Sequence, residues 1–418
     1  MKEKIDCCKK IVVKYGGSSL SDYEHMSKAV NAVVKEVEKG TKVAVVVSAM
    51  GKTTDILLST AKNASNGKVD KKELDDILAM GERTSIRIFA AALKTNGVES
   101  RYFDPLDKDW PIITDDSFSD ANPILEECQK RVEQHVLPSV EKGVIPVIAG
   151  FVGRTYDGKV TTLGRGGSDT TAFILAKALK ADEVVLVTDA DGIMSADPKI
   201  VAHPRRIQEI DVNTLVGLAN SGTKFIHSKA LKYKHSSVNV RVINHECGNL
   251  TDKGTLITGE LSTELDIAPA HSSPVASVTI LGQRLSENFA IVQEILEKTK
   301  IYSTLFGLSL NSNSMILYIS EEEGMDLLLN IIHETIINHP EAIAMSVKKD
   351  LAFLKISGVG LEETHGIIGK ISETLRLNGI NIFGILTIAS SILLFVDWNE
   401  RERVLELVKK SLGGDRKC

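Results

Sequence analysis

No stretch of the 418 residues is apolar over the ~20 positions that a membrane-spanning helix requires, so no bilayer span is expected. No block of a single charge sign occurs either. The formal net charge of -5 is spread over the whole length, which gives neither the basic surface that nucleic acid needs nor a patch for anionic lipid. Cysteine is scarce and odd in number. Cys7, Cys8, Cys128, Cys247 and Cys418 form no even framework, and the adjacent Cys7 and Cys8 lack a second pair at metal-like spacing, so all five read as free thiols of a reducing compartment. Two phosphate-binding signatures are missing as well, GxGxxG and GxxxxGK[ST]. The N-terminal MKEKIDCCKK is charged and has no apolar core behind it, so a cytoplasmic location is expected. With 43% apolar and 25% charged residues the composition is that of an ordinary globular chain long enough for two or more domains.

The most informative stretch is Thr161–Ala172, TTLGRGGSDTTA. Gly164, Gly166 and Gly167 around Arg165, then Ser168 and Asp169 before an apolar helical pattern, describe a tight loop feeding a helix N-terminus, which is anion-binding architecture. Ser168 is the expected N-cap. Asp169 falls in the first turn, where the dipole favours a carboxylate but a bound anion does not, so a cation from elsewhere must offset it.

The preceding chain offers one. Ile11–Tyr15 reads as a strand emptying into Gly16-Gly17-Ser18, Tyr23–Lys39 as a helix ended by Gly40, and Val43–Ala49 as a strand buried on both faces, a βαβ unit. Lys14 stands at the ligand-side end of its strand. Ser48 and Thr54 stand at the end of the next, where Thr54 before Asp55 reads equally well as a helix cap. Leu74–Lys94 has helical periodicity interrupted by MGERTS. Gly81 in mid-helix is unfavourable by roughly 1 kcal/mol and invites a reason such as close approach of a ligand. Glu82 beside Arg83 is either part of that site or half of a surface ion pair. Val144–Ala149 is another buried strand, and Asp157-Gly158 marks a hairpin turn. Glu183–Val187 is a strand that ends in Thr188, Asp189, Ala190, Asp191 and Gly192 on the ligand side of the sheet. Lys224 opens a helix after Ser221-Gly222, where a cation needs an anion to meet. From about residue 270 the pattern becomes two smaller βαββ units of ferredoxin-like character, with no catalytic constellation.

KYGGSSL, VVVSAMGKTTD, MGERTS, GFVG, VTTLGRGGSDTTA, TDADGIMSADPK and SGTKFIHSKA follow one another as in the aspartate kinases of the amino-acid kinase superfamily, and the tail resembles their paired ACT regulatory domains. The resemblance implies an α/β amino-acid kinase fold, a mostly parallel sheet sandwiched by helices, over residues 1–262. ACT-like units over 270–345 and 346–418 follow, with strand exchange that could assign 273–282 to the second. It implies ATP-dependent phosphorylation of the side-chain carboxylate of L-aspartate, Mg2+ with ATP, lysine or threonine as effector, and a homodimer. Carried over by position, Lys14 and Asp169 are catalytic. Ser48, Thr54, Glu82, Arg165, Gly166, Gly167 and Ser168 bind the amino acid. Lys14, Gly16, Gly17, Ser18, Thr188, Asp189, Asp197, Lys199 and Lys224 serve the nucleotide.

This chain departs from the family pattern at Met194, Lys199 and Ser228, at 286–290 (SENFA), where a proline-glycine pair usually opens the helix, and at Ala389.

Overall fold

The computed structural model describes residues 9–197, 200–219, 226–261, 266–358, 361, 365–388 and 391–413. Cys7, Cys8, Lys199, Lys224, Ala389 and Cys418 therefore lie outside the described residues. The chain divides into two compact units, Met1–Leu261 and Ser262–Cys418. No helix of the described residues is long and apolar enough to cross a membrane.

The first unit runs β1 (Lys10–Tyr15), α1 (Tyr23–Glu38), β2 (Lys42–Val47), α2 (Thr53–Ala64), α3 (Lys71–Thr95), β3 (Ser100–Phe103), α4 (Leu125–Arg131), α5 (Leu137–Glu141) and β4 (Ile145–Ala149). It continues with β5 (Val152–Arg154), β6 (Val160–Thr162), α6 (Gly167–Leu179), β7 (Glu183–Thr188), β8 (Glu209–Asp211), α7 (Val212–Ala219), α8 (Ser228–Leu231), β9 (Asn239–Asn244) and β10 (Thr255–Thr258). Eight of these strands form one sheet in the order β3-β4-β2-β1-β7-β9-β10-β8, with β9 and β10 its antiparallel pair. The β-branched run of β2 explains its central place. Val45, Val46 and Val47 are wholly buried, as expected of a parallel strand covered on both faces.

Helix α1 starts where Asp22 accepts hydrogen bonds from the N–H groups of Glu24 and His25, both at 3.0 Å, and it buries Met26, Ala29, Val30 and Val33. Helix α3 runs unbroken through MGERTS, against the interruption expected from the sequence. Helix α6 is apolar nearly all round and almost entirely buried, so it is a core element. Strands β5 and β6 make the expected hairpin, closed by Thr155 donating its N–H to the Lys159 carbonyl at 2.9 Å.

In the second unit the elements are β11 (Asp266–Pro269), β12 (Val275–Gly282), α9 (Phe289–Tyr302), β13 (Leu305–Leu310), β14 (Ser314–Ser320), α10 (Met325–Asn338), β15 (Ala342–Ser357), α11 (Ile367–Leu377), β16 (Gly384–Ile388), β17 (Ser391–Asp397) and α12 (Arg401–Gly413). The sheet order is β13-β14-β12-β15-β17-β16, with β11 added on β15. The 16-residue β15 serves two cores. Its first part pairs with β12, beside a core of Val278, Ile280, Ile295, Leu317, Leu328 and Ile332; its second part pairs with β17 and β11, beside a core of Leu354, Ile356, Ile371, Leu394 and Val404. Each repeat also carries a closing helix, α10 or α12, beyond the βαββ pattern. The sequence boundary at 345/346 falls inside β15.

Candidate functional site

Because β1, β2, β4 and β7 are parallel neighbours or near neighbours, the loops at their C-terminal ends gather at one edge of the sheet. Backbone bonds tie these loops together. Gly16 donates to the Val187 carbonyl at 3.2 Å, Ser48 to Tyr15 at 3.1 Å, Gly51 to Gly17 at 2.9 Å, and Gly150 to Val47 at 2.9 Å. The result is a cleft of about 370 Å³ lined by Lys14, Gly17, Ser48, Ala49, Gly51, Thr54, Glu82, Phe151 and the residues 164–169.

At its floor the Lys14 ammonium lies 2.7 Å from Oδ1 of Asp169. Both side chains are largely shielded, 16% and 12% exposed, so this is a pair with little solvent screening. The charge in the first turn of α6 that needed a partner thus has one, contributed by a strand more than 150 residues earlier.

Gly166, not Ser168, is the N-cap of α6, with φ of 75° in the left-handed region, and a side chain there would also meet His227. Ser168 sits inside the helix, where its hydroxyl accepts from that of Ser48 at 3.0 Å. This joins the β2 loop to the α6 start. With Gly166 and Gly167 leading in, the first turn of α6 lines the cleft, an anion-binding arrangement. Thr54 is likewise not a cap. Lys52 occupies that position without a side-chain bond, leaving Thr54 to line the cleft.

Glu82 is 3% exposed. The Ala49 N–H donates to its Oε1 at 3.1 Å, whereas Oε2 has no hydrogen-bond partner among the described residues. Burial pushes the pKa of this carboxyl up to about 7, against the pull of the Ala49 bond. The surface ion pair with Arg83 does not form, since Arg83 turns to Asp104 at 3.1 Å. Gly81 explains how Glu82 is placed: a β-carbon on Gly81 would come within 2.7 Å of that of Ala49, so the helix packs directly on the β2 loop. The close approach is to protein, not to a ligand. Arg165, in contrast, is exposed and makes no ion pair among the described residues.

On the other side of Lys14 the ends of β7 and β9 meet the Gly16–Ser18 loop. Thr188 donates from Oγ1 to Asp189 Oδ1 at 3.1 Å, its carbonyl accepts from the His245 N–H at 2.7 Å, and Asn244 Nδ2 donates to Asp191 at 2.7 Å. Asp189 is exposed and Asp197 partly so. Lys199 and Lys224 are not among the described residues.

Asp75 escaped the sequence reading. It is fully buried on α3, two turns before Glu82 and on the same face, and it accepts from Ser119 N–H at 2.8 Å, Thr162 N–H at 2.9 Å and Thr162 Oγ1 at 2.7 Å. It anchors the end of β6, from which Arg165 departs. Its one sequence signal is an aspartate on the apolar face of a long helix.

A model described as the amino acid kinase family matches residues 9–244. The chain is similar to the aspartokinase of Geobacillus stearothermophilus, 32% identical over 384 residues that span 89% of each chain. Among solved structures it resembles an aspartate kinase from Synechocystis with a TM-score of 0.76 at 26% identity, over 96% of this chain and 69% of that one. E. coli aspartokinase III in complex with aspartate and ADP shares the fold, with a TM-score of 0.56 at 22% identity over 97% of this chain and 100% of that one.

Proposed function

The chain belongs to the amino acid kinase family and, within it, to the aspartokinases, and from that premise we infer how its cleft works. The reaction is transfer of the γ-phosphoryl group of ATP to the side-chain carboxylate of L-aspartate, giving 4-phospho-L-aspartate and ADP. With an ordinary pKa near 3.9 that carboxylate is already ionised at neutral pH, so no general base is required. The obstacle is repulsion between two anions. Catalysis therefore consists of alignment, and of cations placed where charge accumulates on the transferring group.

Lys14 is the cation at the meeting point of the two anions, and Asp169 holds its ammonium in place without acting as a base. Arg165 takes the substrate α-carboxylate through the fork of its guanidinium. Glu82 takes the α-ammonium. The observation that carries this assignment is the unpaired, buried Oε2 of Glu82 in the same cleft as Arg165 and Lys14, because a buried carboxylate without a donor marks where a cationic group of the ligand belongs. Ser48, Thr54 and the Gly166–Ser168 turn complete the amino-acid subsite. Gly16, Gly17, Ser18, Thr188, Asp189 and Asp197, with Lys199 and Lys224, form the nucleotide side. Mg2+ enters with the triphosphate as a phosphate-bound ion.

The two repeats of the second unit are read as ACT-like regulatory modules for an amino-acid effector, lysine or threonine, and as the pairing surface of a homodimer. A cytoplasmic setting supplies ATP and aspartate.

The test is ADP release that depends on both ATP and L-aspartate, with hydroxylamine trapping the acyl phosphate. Succinate, which lacks the ammonium, should be a poor acceptor. No trapped product at millimolar aspartate would sink the reading.

A further inference from the structure

Beside the glycine loop, where β7 and β9 end, three acceptor atoms converge. His25 lies in the first turn of α1, and His245 and Glu246 directly follow β9. Their ligand atoms all lie within 4.8 Å of one another, with Nε2 of His25 and Nε2 of His245 each 3.6 Å from Oε1 of Glu246.

Hydrogen bonds on the far side of each group decide what these atoms can do. His25 Nδ1 lies 2.7 Å from Asp22 Oδ2, a pure acceptor, so Nδ1 carries the proton and Nε2 of the neutral ring presents a lone pair. Ser19 Oγ spends its hydrogen on the Val187 carbonyl at 3.2 Å, so towards His245 Nδ1, 3.4 Å away, it accepts; Nε2 of His245 again presents a lone pair. The second oxygen of Glu246 is held by Lys28 at 2.6 Å, which leaves Oε1 turned to the two rings. Three electron-rich atoms facing one another call for a cation between them.

We propose that His25, His245 and Glu246 form a site for a divalent transition metal of the zinc class, with Asp22 and Ser19 orienting the imidazoles and a fourth position open to water. Two nitrogens and one oxygen suit zinc, and bonds of about 2.0–2.1 Å put neighbouring ligand atoms of a tetrahedron roughly 3.3–3.4 Å apart, close to the two 3.6 Å separations already present. The Asp22–His25 contact is the carboxylate–histidine arrangement by which outer groups fix the tautomer of a metal ligand. Magnesium, which prefers an all-oxygen shell, does not fit this donor set.

The location gives the metal something to hold. The Val187 carbonyl accepts from both Gly16 N–H and Ser19 Oγ, and His245 N–H donates to Thr188. A bound ion would fasten the start of α1 to the ends of β7 and β9 beside the glycine loop.

The full chain, stripped with chelator, is titrated with Zn2+ by calorimetry and with Co2+ by visible absorption. One equivalent of each should bind, Co2+ with the intense spectrum of a tetrahedral site, and Zn2+ should raise Tm. His25→Ala and His245→Ala should each abolish binding and the rise in Tm. Asp22→Asn, which removes no ligand, should weaken affinity about 10–100-fold. Glu246→Gln, at an exposed side chain, keeps the measurement available if a histidine variant fails to fold, and should weaken affinity at least about tenfold. Absence of binding, or binding that survives these substitutions because Zn2+ has gone to free thiols such as Cys247, overturns the proposal.

Discussion

A carboxylate buried with one oxygen unpaired is costly in the absence of ligand, and Glu82 is such a group. Its folded pKa of about 7 exceeds the ordinary 4.5, so the folded state binds the proton more tightly than the unfolded one. Stability is therefore full below about pH 4.5 and declines as pH rises toward 7, by an amount on the order of 3 kcal/mol. Glu82→Gln should flatten that decline in urea titrations between pH 5 and pH 8 while raising KM for aspartate at least tenfold, since a neutral amide offers the ammonium no opposite charge. An unchanged KM would remove Glu82 from the subsite. Lys14→Ala should lower kcat about 10²–10³-fold and also lower stability, because it strands Asp169. Adding Asp169→Asn should restore stability without restoring turnover, which unfolding curves and ADP release would separate. The Lys14–Asp169 pair was legible because a carboxylate in an anion-binding turn is an electrostatic contradiction that names its own remedy. Glu82 was ambiguous, since its neighbour Arg83 offered an equally good partner and sequence cannot say which way adjacent helical side chains face.

At the scale of elements the difficulty was α3. Glycine propensity argues for a break at Gly81, yet the helix runs on, because contact with the β2 loop outweighs roughly 1 kcal/mol of local preference. Gly81→Ala separates the two effects. Propensity alone would stabilise by about that amount, whereas the 2.7 Å approach to the Ala49 β-carbon requires overpacking that costs about 1–3 kcal/mol. The expected outcome is a lower Tm together with a raised KM for aspartate, as Ala49 supplies the N–H that holds Glu82. A raised Tm would show that the loop yields freely. The parallel strands were easy to find, their apolar runs being set by burial on both faces. Asp75 was not, because its worth lies in the Ser119 and Thr162 groups it satisfies, which are distant in sequence.

For the whole molecule, seven motifs specified the first unit, whereas the second had only periodicity to offer. Strands β12, β14 and β17 are apolar runs that burial accounts for, as is the second half of β15. Its first half, 342–350, does hold apolar residues, but its side chains are mostly exposed, Ile343 and Val347 among them, so no alternation of buried and exposed positions marks it as a strand. β11 was missed because four residues ending in proline do not look like a strand. It nevertheless adds to the second half of β15, and Ile267, 5% exposed and opposite Ile356, belongs to the core with Ile371, Leu394 and Val404. A residue preceding both repeats thus completes the later one. Ile267→Ala in the full chain should cost about 2–5 kcal/mol. The loss has an address: amide exchange should accelerate in β17 and in 351–357, while β12 and β14, whose core excludes Ile267, keep their protection. Equal acceleration in both repeats would mean that the second unit opens as a single cooperative body, and that β15 transmits the loss along its whole length.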